Sequence, residues 1–317
     1  HGSTVQDNHG NWFNSGTSWV GYNWGMERRI AIYPARFYPD GQFNASTRFG
    51  DWPRLVPTGR FADPESLFAG WMLLSYRKPL SASSTQGEFA ADRASDEDPR
   101  TFWVAARNAP GETLTMDLGG TREVRAVQVN FADYKAGRYA DAPDIYTEFE
   151  LQHSADGRTW QPLARTAPPR RDRPNAYLEL PQPVRTRFIR YVHGHVGAAH
   201  LAISDLRVFG RAEGRAPSVP ASVSGRRHQD QRDATIAWRK VPGAVGYNIR
   251  WGIRADRLTQ TYQLWADELG DGATLQKELR ALNVGVPYWV AVEAFNESGV
   301  SRLSRTVRMR PQPASRR

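Results

Sequence analysis

Apolar and polar residues alternate along most of this chain, the period that a pleated strand imposes on its two faces. Val127, Val129 and Phe131 share one face, as do Phe149, Leu151 and His153. Ile189 and Tyr191 oppose Phe188, Arg190 and Val192. Turn residues punctuate the runs. Asp7-Asn8-His9-Gly10 predicts a hairpin between strands at 4–6 and 12–17, and Asp40-Gly41 joins strands at 28–34 and 42–48. Ser154 to Trp160, with Asp156-Gly157 inside it, reads as another hairpin. The stretch from Pro168 to Pro174 is a polar loop, because its three prolines exclude a ladder strand. Residues 234–241 and 247–251 read as strands with Trp238 in a core, and a closing strand runs over 288–295.

The pattern therefore predicts an all-β chain in three parts. They are residues 1–76, residues 77–211 and residues 220–310, with a linker over 212–219 and a tail over 311–317. The length of 317 residues fits two to three domains. Eleven tryptophans suit β-sandwiches and also sugar binding, where an indole covers the apolar face of a pyranose. No run approaches the about 18 apolar residues of a membrane span. No cysteine is present, which excludes disulfides, thiolate metal sites and a cysteine nucleophile. The net charge of +9 sits mainly in residues 212–317, which hold 17 basic against 10 acidic side chains. All but four of the 42 basic residues are arginine, without a basic helix or a nucleic-acid motif. Attraction to an acidic polysaccharide is the better reading, and nucleic acid is not an expected partner. The chain opens on His1 rather than Met, so a leader or a longer segment is expected to have been removed.

Four stretches carry a resemblance over 80–210. They are Ala94-Ser95-Asp96-Glu97-Asp98-Pro99-Arg100-Thr101-Phe102-Trp103, Leu114 to Gly119, the Ser154 to Trp160 hairpin, and Ile203-Ser204-Asp205-Leu206-Arg207-Val208-Phe209-Gly210. Together they resemble a discoidin domain, also called the coagulation factor 5/8 C-type domain, whose bacterial relatives are family 32 carbohydrate-binding modules. The resemblance implies a jelly-roll β-sandwich that binds ligand. His1-Gly2-Ser3, the run from Glu27 to Ala35 and Thr47 to Asp51 resemble the last part of a five-bladed β-propeller of the glycoside hydrolase family 43 type. That likeness implies a partial propeller blade with His1 at the propeller axis, and remaining blades supplied elsewhere in the protein or by a partner chain. Residues 217–309, with Leu282, Gly285 and Tyr288 at the spacing of a tyrosine corner, resemble a fibronectin type III sandwich.

Asp96, Asp98 and Thr101 form a tight loop of oxygen donors, as a hard cation requires. The discoidin likeness implies a structural Ca²⁺ there, completed from the last strand, where Asp205 stands in place of the usual Glu. Glu97 replaces the usual Gly after Asp96. For sugar contact, Tyr134, Arg138 and Tyr139 in the long loop from Asp133 to Asp141 combine stacking rings with a hydroxyl or carboxylate partner, and Phe89 joins them from the first loop. His193, His195 and His200 fall within eight residues and could gather a transition metal or serve a polar loop. Trp12, Trp19 and Trp24 line a cleft or pack. No catalytic motif is present, and the acid and base of the hydrolase family come from earlier blades. The expected function is binding of a polysaccharide or oligosaccharide by the C-terminal portion of a secreted or periplasmic glycoside hydrolase. The alternative is a non-catalytic adhesion or interaction protein.

Overall fold

The computed structural model describes residues 2–19, 28–135 and 144–311. Apart from short 3-10 turns, the described residues form strands and loops, the all-β architecture that the alternation predicts. The first sheet holds β1 (Thr4–Gln6), β2 (Trp12–Trp19), β3 (Arg28–Phe37) and β4 (Phe43–Ala45) in sequential order. β1 is antiparallel to β2 and β3 to β4. The first turn forms because the Asp7 carboxylate accepts the N–H groups of His9 and Asn11 at 2.9 and 2.8 Å. The buried Asn11 side chain then donates to the Gly59 carbonyl and accepts from the Phe61 N–H, both at 2.9 Å, tying the hairpin to the chain beyond the sheet.

Contacts divide the chain into two units. One comprises Thr17–Ile30 and Trp71–Glu213. Its main sheet runs through β5 (Met72–Leu73), β6 (Leu80–Ala82), β7 (Trp103–Val104), β8 (Thr113–Phe131), β9 (Thr147–Ser154), β10 (Gln161–Arg165), β11 (Asn175–Val196) and β12 (Ala202–Ala212). The order is β10-β9-β11-β8-β12-β5, with β6 on β8 and β7 on β12. β8 and β11 are 19 and 22 residues long, too long for one flat layer. Their pairing slips between Glu179 and Val184, where Pro181 and Pro183 have no N–H to give the ladder, and again between Thr186 and Phe188. These irregularities let two strands serve a folded-over sandwich. Its core contains Trp103, Leu114, Met116, Val127, Val129, Leu151, Ile189, Tyr191, Leu206 and Val208. The expected faces are observed, since Ile189 and Tyr191 point inward while Phe188, Arg190 and Val192 are only partly covered.

The other unit joins His1–Gly16 and Ala31–Gly70 to Gly214–Arg317. Its C-terminal part is a two-sheet sandwich. One sheet orders β13 (Ser224–Arg227), β14 (Ala234–Arg239) and β17 (Thr274–Leu279). The other orders β16 (Gln260–Trp265), β15 (Gly246–Gly252), β18 (Tyr288–Asn296) and β19 (Gly299–Val300), and β20 (Val307–Met309) also pairs with β18. Ile236, Trp238, Tyr247, Ile249, Val290 and Val292 fill the space between. Tyr288 turns back so that its hydroxyl accepts the Asn283 N–H at 3.2 Å, the corner that the spacing predicts.

The opening segment is fastened to this sandwich. Glu293 on β18, with a side chain only 4% exposed, accepts Arg48 Nε at 2.6 Å, Arg48 Nη2 at 3.1 Å and Asn248 Nδ2 at 2.9 Å. Burial works against the Arg48 charge, but Glu293 and then Glu65 outweigh it and raise the pKa of the guanidinium. Glu65 also bonds Arg250, and Arg257 bonds Asp40 at 2.6 Å while lying 3.8 Å over the Tyr38 ring. Beside the ion pair, Phe49 stacks on Phe68 at 4.5 Å, meets Trp52 at 4.7 Å and meets Phe295 edge-on at 5.4 Å. Trp265 packs on both Trp52 and Phe295. A Cβ on Gly246 would lie 2.2 Å from the Phe295 ring, so a glycine on β15 is what lets that ring lie flat across the strand. Phe49 adopts φ 46°, a left-handed conformation that costs about 1–3 kcal/mol in a non-glycine residue. Full burial of the ring returns about 1.5–3 kcal/mol, and each aromatic pair adds about 0.5–1.5 kcal/mol, so packing prevails.

Arg48→Met leaves the Glu293 carboxylate buried with only Asn248 as partner. Urea unfolding is expected to show a loss of about 3–5 kcal/mol for this unit. Adding Glu293→Leu to the same chain restores much of that loss, because no buried charge is then stranded.

Candidate functional site

Two groups of loop residues in the 71–213 unit hold the side chains singled out by the sequence. The first is the acidic loop. Asp96 accepts the Asp98 N–H at 2.9 Å on one oxygen and the Thr101 hydroxyl at 2.6 Å on the other. Asp98 in turn accepts the Arg100 N–H at 3.0 Å, closing the loop. Burial raises the pKa of Asp96, and the Asp98 and Asp205 charges push in the same direction. Asp205 is buried on β12 and accepts Asn130 Nδ2 and the Ser204 hydroxyl, both at 2.9 Å. Asn130 Oδ1 is a buried acceptor without a hydrogen-bond partner. The four oxygen-bearing residues thus form one electrostatically coupled neighbourhood.

Glu97 has a role that sequence reading missed. It adopts a left-handed conformation, with φ 62°. Its carboxylate receives Arg207 in a two-point ion pair at 3.0 and 2.8 Å, and Arg207 also donates to Gln128 at 3.2 Å. A charge-assisted, largely buried pair offsets the backbone cost. The signal was an acid at a strained turn position with an arginine on the last strand, but only the fold brings the two together.

The second group is aromatic. Phe89 stacks nearly parallel on Phe102 with centroids 5.2 Å apart and meets Tyr134 at 4.7 Å. His200 reaches Tyr134 at 5.2 Å, and Arg93 lies 5.7 Å from the Phe89 ring. Phe102, Val104, Tyr134 and Ala202 form a small separate core beneath Phe89. Tyr134, expected to stack on a sugar, is part of this core. It is 6% exposed and enclosed by Phe89, Phe102 and His200, so its faces are used in packing. Phe89 is only half-buried. Nearby, Gln86 Oε1 is buried without a hydrogen-bond partner. Arg138, Tyr139, His1 and Trp24 lie outside the described residues.

The three loop histidines do not converge. His193 is held on both ring nitrogens, by the Tyr191 hydroxyl at 2.8 Å and by Asn108 Oδ1 at 2.9 Å. His195 stacks on Tyr146 at 3.8 Å and bonds the Asp144 carbonyl at 2.8 Å. His200 packs on Tyr134. They serve structure rather than a shared ion. Burial lowers the His193 pKa to about 4, with the neighbouring His195 adding to the effect. The unfolded chain, with an imidazole pKa of about 6.5, takes up a proton before the folded chain does. Stability contributed by neutral His193 is present above about pH 6.5 and is lost as pH falls toward about 4. His193→Gln is expected to flatten the fall in denaturation midpoint across that window.

The chain is similar over part of its length to several solved structures. One is the family 32 carbohydrate-binding module of Clostridium perfringens NanJ in complex with galactose, at 17% identity over 44% of this chain and 98% of that one, with a TM-score of 0.36. Another is chitosan-binding module 1 of a Paenibacillus sp. IK-5 chitosanase/glucanase, at 23% identity over 44% and 99%, with a TM-score of 0.37. A third is a Clostridium perfringens family 32 module in complex with GalNAc-β-1,3-galactose, at 18% identity over 44% and 100%, with a TM-score of 0.36. No curated protein matches the chain. Residues 79–202 match the family model of the F5/8 type C domain, and the chain carries a domain of that family there.

Proposed function

We propose that the F5/8 type C domain binds a polysaccharide or oligosaccharide. The family match over residues 79–202 carries this reading. The half-buried Phe89, braced from below by Phe102, offers an apolar surface to a pyranose, and the uncompensated Gln86 acceptor can take a sugar hydroxyl. Arg138 and Tyr139 belong to the same proposal by their place in the loop that follows Tyr134. Binding of this kind is shallow and weak, and it works by holding a larger protein near a polymer.

The larger protein is read as a secreted glycoside hydrolase. What supports a propeller sector at the opening is the four strands in sequential order, with Val5 and Ile32 each 61% exposed on a sheet that globular burial would cover. What supports a fibronectin type III module is the two-sheet sandwich of three and five strands with its corner tyrosine. Catalysis would then rest on residues of further blades, and His1 would face their common axis. In the acidic loop, Asp96, Asp98, Thr101 and Asp205 fit a hard cation. All their donors are oxygens, burial and then the Asp98 and Asp205 charges work against the Asp96 carboxylate, and Asn130 Oδ1 adds an unused buried acceptor. Those residues would hold Ca²⁺, which would neutralise the loop and fix it against β12.

Two measurements test these readings. Calorimetric titration with galactose, GalNAc-β-1,3-galactose and chitosan oligosaccharides is expected to give saturable binding to at least one, weakened about tenfold or more in Phe89→Ala. A single stacking contact of about 1–2 kcal/mol sets that scale. Failure of a broad glycan panel to bind removes the proposal. Millimolar CaCl₂ is expected to raise the melting temperature of EDTA-treated protein, and Asp96→Asn to abolish the rise, whereas an unchanged melting curve in the parent protein contradicts the calcium assignment.

A further inference from the structure

The remaining unexplained chemistry lies on the C-terminal sandwich. Among the described residues, only His228, Asp233 and Glu278 bring three donor atoms of this kind within 4.8 Å of one another. All three are partly buried. We infer that they form a zinc-binding site with one coordination position open.

The sheet register places them. Arg227 pairs with Ala234, so His228 and Asp233 face each other just beyond the β13–β14 ladder, where the His228 N–H donates to the Asp233 carbonyl at 2.9 Å. The Asp233 N–H donates to the Asp230 carbonyl at 3.0 Å and closes the connecting turn. Glu278 on β17 pairs with Thr235 on β14 and thereby stands beside this turn. Two strands and a closed turn hold the ligands, so little ordering remains to be done on binding.

The histidine is oriented as a ligand. Its Nε2 bonds the Thr235 hydroxyl at 2.8 Å, which fixes the ring and turns Nδ1 toward Glu278 Oε1 at 3.9 Å. A partner on the far ring nitrogen is the usual support of a ligating imidazole. A tetrahedral zinc with bonds of about 2.0–2.1 Å needs donors about 3.4 Å apart, a closure that small side-chain rotations supply. One nitrogen and two carboxylates suit zinc better than Ca²⁺ or Mg²⁺, which prefer oxygen alone. The opposing charge comes from Arg280, which donates to the other oxygen of Glu278 at 3.0 Å, and from Arg232, which is engaged with Asp230 at 2.7 Å. Arg280 is 76% exposed, so its surface pair with Glu278 is cheap to release.

The test is zinc titration of the EDTA-treated full chain by calorimetry, with melting curves recorded alongside. The wild-type protein is expected to bind zinc and to melt higher with it. His228→Ala and Glu278→Gln each lose one equivalent, whereas His193→Gln and His195→Ala keep it. Thr235→Val weakens that equivalent about tenfold, as loss of a supporting partner does elsewhere. Equal melting of zinc-free His228→Ala and zinc-free wild type shows that the variant is folded. Absence of zinc binding by the wild type, or full stoichiometry and affinity in His228→Ala, overturns the assignment.

Discussion

A buried carboxylate on the outer face of the C-terminal sandwich depends on an arginine 245 residues earlier in the chain. Glu293 lies on a central strand of its sheet, surrounded by residues that leave almost no access to water. An ionised group in that position is tolerable only with a partner of opposite charge and with its oxygens hydrogen-bonded. Arg48 and Asn248 meet both requirements. The aromatic stack of Phe49, Phe68, Trp52, Trp265 and Phe295 shields the same place and makes the attraction stronger by excluding solvent. The opening segment is therefore part of the packing of the C-terminal sandwich, and the intervening F5/8 type C domain has a separate core of its own.

Much of the strand pattern was legible in the sequence. The first turn, the hairpin around Asp156-Gly157, the inward positions of β8 and β11, and the returning Tyr288 all follow from two-residue alternation and local turn chemistry. The docking was not legible. Phe49, Trp52, Trp265 and Phe295 are scattered along the chain, and no periodicity links residues so far apart. The same limit affected the loops. Tyr134 has the composition of a sugar platform, but whether a ring is open or covered depends on what folds over it, and here Phe89 and His200 do. Glu97 looked like a lost glycine because its partner, Arg207, arrives from the far end of the domain.

The loop chemistry follows from a division of labour among side chains. Those with both faces or both polar ends satisfied, such as Tyr134 and His193, shape the domain. Those with unspent capacity, such as Phe89, Gln86 and Asn130, are where a ligand gains most, since an uncompensated buried acceptor rewards whatever satisfies it. On the C-terminal sandwich, His228 has one ring nitrogen anchored and the other beside a carboxylate, the same contrast in another setting.

Native-state hydrogen exchange on the full chain addresses the docking most directly. If Arg48 and its aromatic neighbours join the opening segment to the sandwich, the amides of Ser46, Trp52 and Leu55 open together with those of β18, at one free energy and with one denaturant dependence. Fast exchange of residues 31–70 at a free energy well below that of β18 would contradict it, because the segment would then open without disturbing Glu293.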